Sequence, residues 1–265
     1  MGEPRVALVT GAARGIGAAT VDRLCADGYR VVAVDSCAAD DSPDGVAYRL
    51  STHHELDAVV ARNPGLVTPF VADVRDAEAM RAVAAAAVSE YGRLDAAIAA
   101  AAIIIGGQPL WETPEDHVRS LLDVDVLGVW HTAAAVIPHM LASDEPENCR
   151  FVAVASAAGS YGLFRLAAYN VAKHAVVGLV RGLSADLVGT GVTAVAVSPG
   201  STDTSMLEAT AQLYGLPSVD DFIQSSPLRR ILHPRELAAT IAFCCSLEGA
   251  VLNGSVIEAS GGFRG

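Results

Sequence analysis

Val6-Ala7-Leu8-Val9-Thr10-Gly11-Ala12-Ala13-Arg14-Gly15-Ile16-Gly17 runs from a short apolar strand, through a glycine-punctuated turn, into a helical pattern that lasts to Asp27. Gly28 ends that helix, and Arg30 to Val34 form a second apolar run that closes on Asp35. Strand, helix and strand in this order make the first unit of a parallel sheet. Glycines at 11, 15 and 17 let the backbone turn tightly and approach a pyrophosphate seated at the positive end of the following helix. Taken alone, three neighbouring glycines can equally well end a strand. Asp35 adds weight to the nucleotide reading. A carboxylate at the end of the second strand accepts hydrogen bonds from the adenosine ribose and repels a 2′-phosphate, which favours NAD over NADP. Arg14, beside the phosphate turn, pulls mildly towards a 2′-phosphate.

The pattern continues along the chain. Strand-like runs at Val67 to Ala72, Leu94 to Ala99, Phe151 to Ala155, Val192 to Val197 and Ser255 to Ile257 alternate with helical segments. The expected fold is α/β, a three-layer doubly wound Rossmann fold with a mainly parallel seven-stranded sheet. Thr52 and Glu55 have capping-box spacing and start an extra short helix to Asn63. A helix spans Asp76 to Tyr91, and Thr113 is read as an N-cap before Pro114 and the acidic Glu115-Asp116, opening a helix that runs past Trp130. Further helices cover about Ala168 to Leu187 and Pro234 to Cys245.

With 265 residues, 52% hydrophobic and 18% charged, the chain is expected to form one domain over 1–265. No uninterrupted apolar run has the roughly 18 residues of a membrane span. Met1-Gly2-Glu3-Pro4 lacks the basic start of a secretory signal, so the expectation is a soluble, cytoplasmic protein. A net charge of −12 argues against nucleic acid as a partner. Five cysteines, odd in number and without CxxC spacing, read as reduced packing thiols. His53, His54 and His174 lack a third ligand at suitable spacing, so no metal is expected.

Seventeen of the 18 basic residues are arginine, and the single lysine stands at 173. It is four residues after Tyr169, on the same face of a helix, and Ser156 follows a buried strand whose end opens into the same crevice. A phenol of ordinary pKa about 10 is a poor base at neutral pH, but an adjacent ammonium favours phenolate. Tyr169 is thus the candidate acid/base, Ser156 the hydrogen-bond donor to a substrate oxygen, and Lys173 the cation that also reaches a nicotinamide ribose. A Tyr-x-x-x-Lys pair alone decorates many helices by chance. The lone lysine, the serine spacing and the upstream glycine turn together argue against that account.

Thr10-Gly11-x-x-x-Gly15-x-Gly17, Ser156, Tyr169-x-x-x-Lys173 and Pro199-Gly200-Ser201-Thr202-Asp203-Thr204 together resemble the short-chain dehydrogenase/reductase family over essentially the whole chain. The resemblance implies a nicotinamide cofactor, with Gly11, Arg14, Gly15, Ile16, Gly17 and Asp35 around its adenosine and phosphates. It also implies Asp73 and Val74 beside adenine, and Pro199, Gly200, Thr202 and Thr204 around nicotinamide and phosphate. A homotetramer is implied as well. Two positions depart from the family. Ala99-Ala100-Ala101-Ala102 replaces Asn-Asn-Ala-Gly, so cofactor contacts at Ala99, Ala100 and Ala101 are expected from backbone. Asp125, in Val124-Asp125-Val126, replaces the catalytic asparagine. It either substitutes with little effect or adds a carboxylate that strengthens the positive form of Lys173.

An insertion of about 38–66 separates Asp35 from Asp73. It is either a harmless surface excursion or a cover for the cofactor. With residues 107 to 114, 162 to 169 and the closing Gly-Gly-Phe, it resembles the mycofactocin-coupled branch, in which NAD is retained and re-oxidised by mycofactocin as external electron acceptor. The substrate lid is expected at about 201–230, where Met206, Leu207, Leu213, Tyr214, Leu216, Phe222 and Ile223 suggest a hydrophobic alcohol or carbonyl substrate, unless they mainly pack a helical pair. Two rivals stay in view: an ordinary dehydrogenase with exchangeable NAD(P), and a non-catalytic nucleotide sensor. The intact Ser156, Tyr169 and Lys173 weigh against the sensor.

Overall fold

The computed structural model describes residues 3–264; Met1 and Gly2, part of the N-terminal reading, and Gly265 lie outside the described residues. Strands β1 Val6–Thr10, β2 Arg30–Asp35, β3 Val67–Val71, β4 Ala96–Ala99, β5 Arg150–Val154, β6 Thr193–Pro199 and β7 Val256–Ala259 form one sheet in the order β3-β2-β1-β4-β5-β6-β7. Every pairing is parallel. The inner strands are buried along both faces, which is why they read as unbroken apolar runs rather than alternating ones.

Helices α1 Gly15–Ala26, α2 His53–Arg62 and α8 Pro234–Cys245 cover one face, where Leu24, Leu56 and Ile241 pack on Val9, Val31 and Val152. On the other face, Met80 of α3 Ala77–Tyr91, Met140 of α5 Gly128–Leu141 and Val180 of α6 Ala167–Asp186 pack on Leu8, Val32 and Phe151. The sheet therefore separates two apolar layers, as a doubly wound fold requires. The Thr52 capping box is formed, with the Glu55 amide donating to Thr52 Oγ1 and the Thr52 amide to the Glu55 carboxylate. All five cysteines are buried and unpaired.

Three local expectations shift. Arg150 heads β5 although it is charged. Its buried guanidinium donates to the carbonyls of Glu147, Cys149, Ser246 and Leu247, so the ladder starts one residue before the apolar run. Thr113 does not cap. Pro114 is itself extended, with ψ of 145°, and α4 Glu115–Leu121 starts one residue later, while the Thr113 hydroxyl turns back to the Pro109 carbonyl. The long helix past Trp130 is not uniform: between α4 and α5 it passes through a π-helical turn, Leu122–Leu127. Such a turn adds a residue to the helix circumference and redirects the side chains it carries. Here it buries Val124 and Asp125. The whole Glu115–Leu141 stretch is long and apolar enough to cross a membrane by composition, and 56% of its apolar window is buried inside this fold.

Candidate active site

A cavity of about 770 Å³ opens where β1 and β4, adjacent in the sheet, send their chains to opposite sides. Its floor is the β1–α1 turn. Gly11 has φ +65°, and a Cβ there would stand 2.8 Å from the Ala101 backbone. A Cβ on Gly17 would come within 1.9 Å of the Gly11 carbonyl oxygen. Glycine at these two positions is thus demanded by close backbone packing. Arg14, the N-cap of α1, provides no side-chain cap, and the first turn holds no acidic residue. The first amides of α1 therefore face the cavity beside Gly15 and Ile16 and fit a phosphate group.

Asp35 lines the cavity, but three donors of the chain already converge on it: the amides of Ala13 (3.0 Å) and Cys37 (3.1 Å) and the Ser51 hydroxyl. A carboxylate has about four acceptor positions, so capacity for a ribose hydroxyl is left. Asp73 and Val74 also line the cavity. Burial drives the Asp73 carboxyl upward, yet the Arg75 guanidinium at 2.6 Å and the Arg75 amide outweigh it and hold the group below its ordinary value. Pro199, Gly200, Thr202 and Thr204 form the far wall. Thr204 caps α7 Ser205–Leu213, and its methyl faces Gly15.

Of the alanine run, Ala99 lies in β4 and does not reach the cavity, whereas Ala100, Ala101 and Ala102 do. The amides of Ala100 and Ala101 already donate to Thr10 Oγ1 at 3.1 and 3.2 Å.

Ser156 follows β5 and its Oγ accepts the Ala158 amide at 3.1 Å, which fixes the hydroxyl at the cavity wall. Tyr169 stands in the first turn of α6, and Lys173 one turn further on. Both line the cavity and both are buried, at 5% and 2% exposed. The Lys173 Nζ lies 5.5 Å from the Tyr169 ring centroid, 3.0 Å from Asp125 Oδ2 and 3.4 Å from the Val154 carbonyl. Burial pushes the Tyr169 phenol up; Lys173 and Ser156 oppose it, Asp125 reinforces it, and the balance stays upward. Burial drives Lys173 down, but Asp125 and then Tyr169 outweigh it, so the group is held as ammonium. Asp125 stands behind Lys173, outside the residues that line the cavity.

The 201–230 segment contributes Met206, Leu207, Tyr214, Leu216 and Phe222 to the cavity lining, together with Leu163 and Phe164 from the stretch before α6. Leu213 and Ile223, expected with them, do not line it. The Tyr214 hydroxyl donates to the Phe164 carbonyl at 2.7 Å and ties α7 to the segment leading into α6. Every charged residue lining the cavity, namely Arg14, Asp35, Asp73, Arg75 and Lys173, lies outside the 201–230 segment.

The inserted segment supplies cavity residues that belong to none of the sequence motifs. Backbone bonds from the Ala39 amide to the Ser51 carbonyl and from the Leu50 amide to the Ala39 carbonyl, both 2.9 Å, close a loop at its neck. The loop then crosses the cavity. On one side the Arg14 guanidinium lies over the Tyr48 ring and donates to the Arg49 carbonyl at 3.0 Å. On the other the Ile104 amide donates to the Tyr48 hydroxyl at 3.2 Å. A lone tyrosine in a polar stretch carries no periodic signal, so only the crossing itself reveals it.

Comparison with known proteins agrees with this geometry. A family profile described as enoyl-(acyl carrier protein) reductase matches residues 11–264. The chain is 32% identical to (-)-trans-carveol dehydrogenase of Rhodococcus erythropolis, covering 98% of this chain and 97% of that one. It is 34% identical to the short-chain reductase protein NovJ of Streptomyces niveus, over 97% and 93%. Among solved structures, carveol dehydrogenase from Mycobacterium avium in complex with NAD superposes with a TM-score of 0.91 at 26% identity, covering 98% and 97%. With a glycine turn, a Ser-Tyr-Lys cluster and full-length relatives of this kind, the chain belongs to the short-chain dehydrogenase/reductase family.

Proposed function

We propose that the chain is an NAD-dependent oxidoreductase that interconverts an alcohol and a carbonyl compound by hydride transfer, with Tyr169 as the proton-transfer residue. One observation carries the reading: a buried phenol and the only lysine of the chain share one helix face at the wall of a nucleotide-shaped cleft, under a fixed serine hydroxyl. Bound NAD supplies the hydride acceptor. Gly11, Gly15, Ile16 and Gly17 would hold its pyrophosphate, Asp35 its adenosine ribose, Asp73 and Val74 its adenine, and Pro199, Gly200, Thr202 and Thr204 its nicotinamide half. In alcohol oxidation the Lys173 ammonium favours Tyr169 as phenolate, Ser156 orients the substrate oxygen, and the phenolate takes the hydroxyl proton and becomes phenol as the hydride leaves the substrate carbon. The NAD complex of the Mycobacterium avium relative and the carboxylate of Asp35 both favour NAD over NADP.

The lid at about 201–230 turns apolar side chains and no cation towards the cavity, its Arg229 and Arg230 lying outside the lining, which suits an uncharged hydrophobic alcohol over a carboxylate or phosphate ester. A panel of alcohols assayed with an artificial electron acceptor, without cofactor and with NAD or NADP, tests this. Turnover of neutral cyclic or aromatic alcohols is expected. A preference for anionic substrates overturns the substrate assignment.

The cofactor is retained between turnovers and re-oxidised by mycofactocin. The loop held at both rims by Arg14 and Ile104 supports retention, because a dinucleotide beneath it leaves only when that loop opens. Protein denatured after purification is expected to release NAD into the supernatant. Tyr48→Ala removes a half-buried ring and a hydrogen bond, so NAD dissociation from the folded enzyme is expected to quicken by about tenfold to a hundredfold. Cofactor-free wild-type protein that turns over rapidly with added NAD rejects retention in favour of an exchangeable cofactor. A single domain, a homotetramer and a cytoplasmic location belong to the same reading. Exposed Leu127 and Trp130 near and on α5 and Val171 on α6 offer apolar surface for subunit contact.

A further inference from the structure

We propose that Asp125 is a positioning residue, the counter-ion that pins Lys173 as an ammonium and fastens it to the cavity wall at Ile103. This rests on the reading of Tyr169 and Lys173 above. The π-helical turn Leu122–Leu127 drives Asp125 inward until it is 0% exposed. A lone buried carboxylate is costly, and it persists only where donors meet it. Two do. The Ile103 amide donates to Oδ1 at 2.9 Å, and the Lys173 Nζ stands 3.0 Å from Oδ2, which has no other hydrogen-bond partner.

Both neighbours are donors, and this explains why a carboxylate suits the position. An asparagine has one oxygen and one NH₂, so serving one partner through oxygen turns a donor towards the other. Aspartate offers two acceptor oxygens to two donors. The contact also joins three elements. Residue 103 lies in the wall beyond β4, its neighbour Ile104 holds Tyr48 of the inserted loop, and Lys173 belongs to α6. The titratable groups meeting here are Asp125 from the π-helical turn, Lys173 and Tyr169 from α6, and Tyr48 from the loop, with Arg14 beyond its ring. Of these, Lys173 and Arg14 are the cations, and Lys173 is the one within ion-pair distance of Asp125.

The single lysine makes the test direct. Lysine labelled with ¹³C at Cε and ¹⁵N at Nζ gives one side-chain signal in the full-length protein, and its pH titration reads Lys173 alone. In the wild type the signal is expected to titrate above the ordinary lysine value of 10.5. In Asp125→Asn, confirmed as folded by circular dichroism, the midpoint is expected to move down by about one to three pH units, the effect of losing an opposite charge at this range. Equal midpoints in the two proteins overturn the proposal. So does a wild-type signal at or below 10.5, which needs no variant to fold. Because no turnover is measured, this result stands apart from the activity of Tyr169→Phe, whose retention would instead defeat the oxidoreductase reading.

Discussion

Tyr169→Phe is expected to lower kcat/KM for alcohol oxidation by about 10²- to 10⁴-fold while leaving the fold in place. The ring of Tyr169 is part of the core on the α3–α5–α6 face of the sheet and stays there in phenylalanine. The hydroxyl is what changes. It contributes no ladder or cap bond, so the stability change should remain below about 1 kcal/mol. The proton-transfer group, by contrast, is removed outright. Ser156 still offers its hydroxyl to the substrate oxygen and Lys173 still supplies positive charge, but neither replaces the phenolate that takes the alcohol proton. Steady-state kinetics beside thermal unfolding separate the two effects. Near wild-type turnover in a folded Phe variant removes Tyr169 from the chemistry.

The glycine turn, Asp35 and the Tyr169-Lys173 pair were legible because each depends on local spacing: a turn that must lack Cβ atoms, a strand end, and a four-residue step on one helix. The sheet was legible because buried parallel strands leave continuous apolar runs. What escaped depends on long-range meetings. Nothing near position 150 announces that a guanidinium at a strand start will find four carbonyls around it. The helical periodicity of 115–141 does not mark the π-helical turn, since this stretch is largely apolar and a one-residue change of phase leaves no visible break in it. Asp125 was noticed as an unusual residue, but its burial against Lys173 and Ile103 follows from that turn. Tyr48 was invisible for a similar reason. Its partners, Arg14 and Ile104, stand 34 residues before it and 56 after it. Arg14, expected beside the phosphates, does line the cavity, and its guanidinium also holds the inserted loop.

Lys173→Met should produce the largest loss of stability, because it leaves Asp125 charged and alone in a fully buried position. Removing one member of a buried pair costs about 3–5 kcal/mol, whereas removing both charges is far milder. Lys173→Met combined with Asp125→Asn is therefore expected to regain most of the lost stability, since the asparagine oxygen still accepts the Ile103 amide and no charge remains. Alcohol oxidation should be restored in neither protein, as both lack the ammonium that favours phenolate. The single variant also acquires a pH dependence of definite sign. Burial already pushes the Asp125 carboxyl above its ordinary value of 3.8, with Lys173 opposing. Without the lysine the folded-state value rises further, so native protein binds a proton that the unfolded chain has released. The stability of Lys173→Met should then be best preserved at acid pH and be lost as pH rises from about 4 through the folded-state value. Urea melts of the single and double variants at several pH values measure this directly. Equal destabilisation in both, flat with pH, means that the carboxylate is not the group left unpaired.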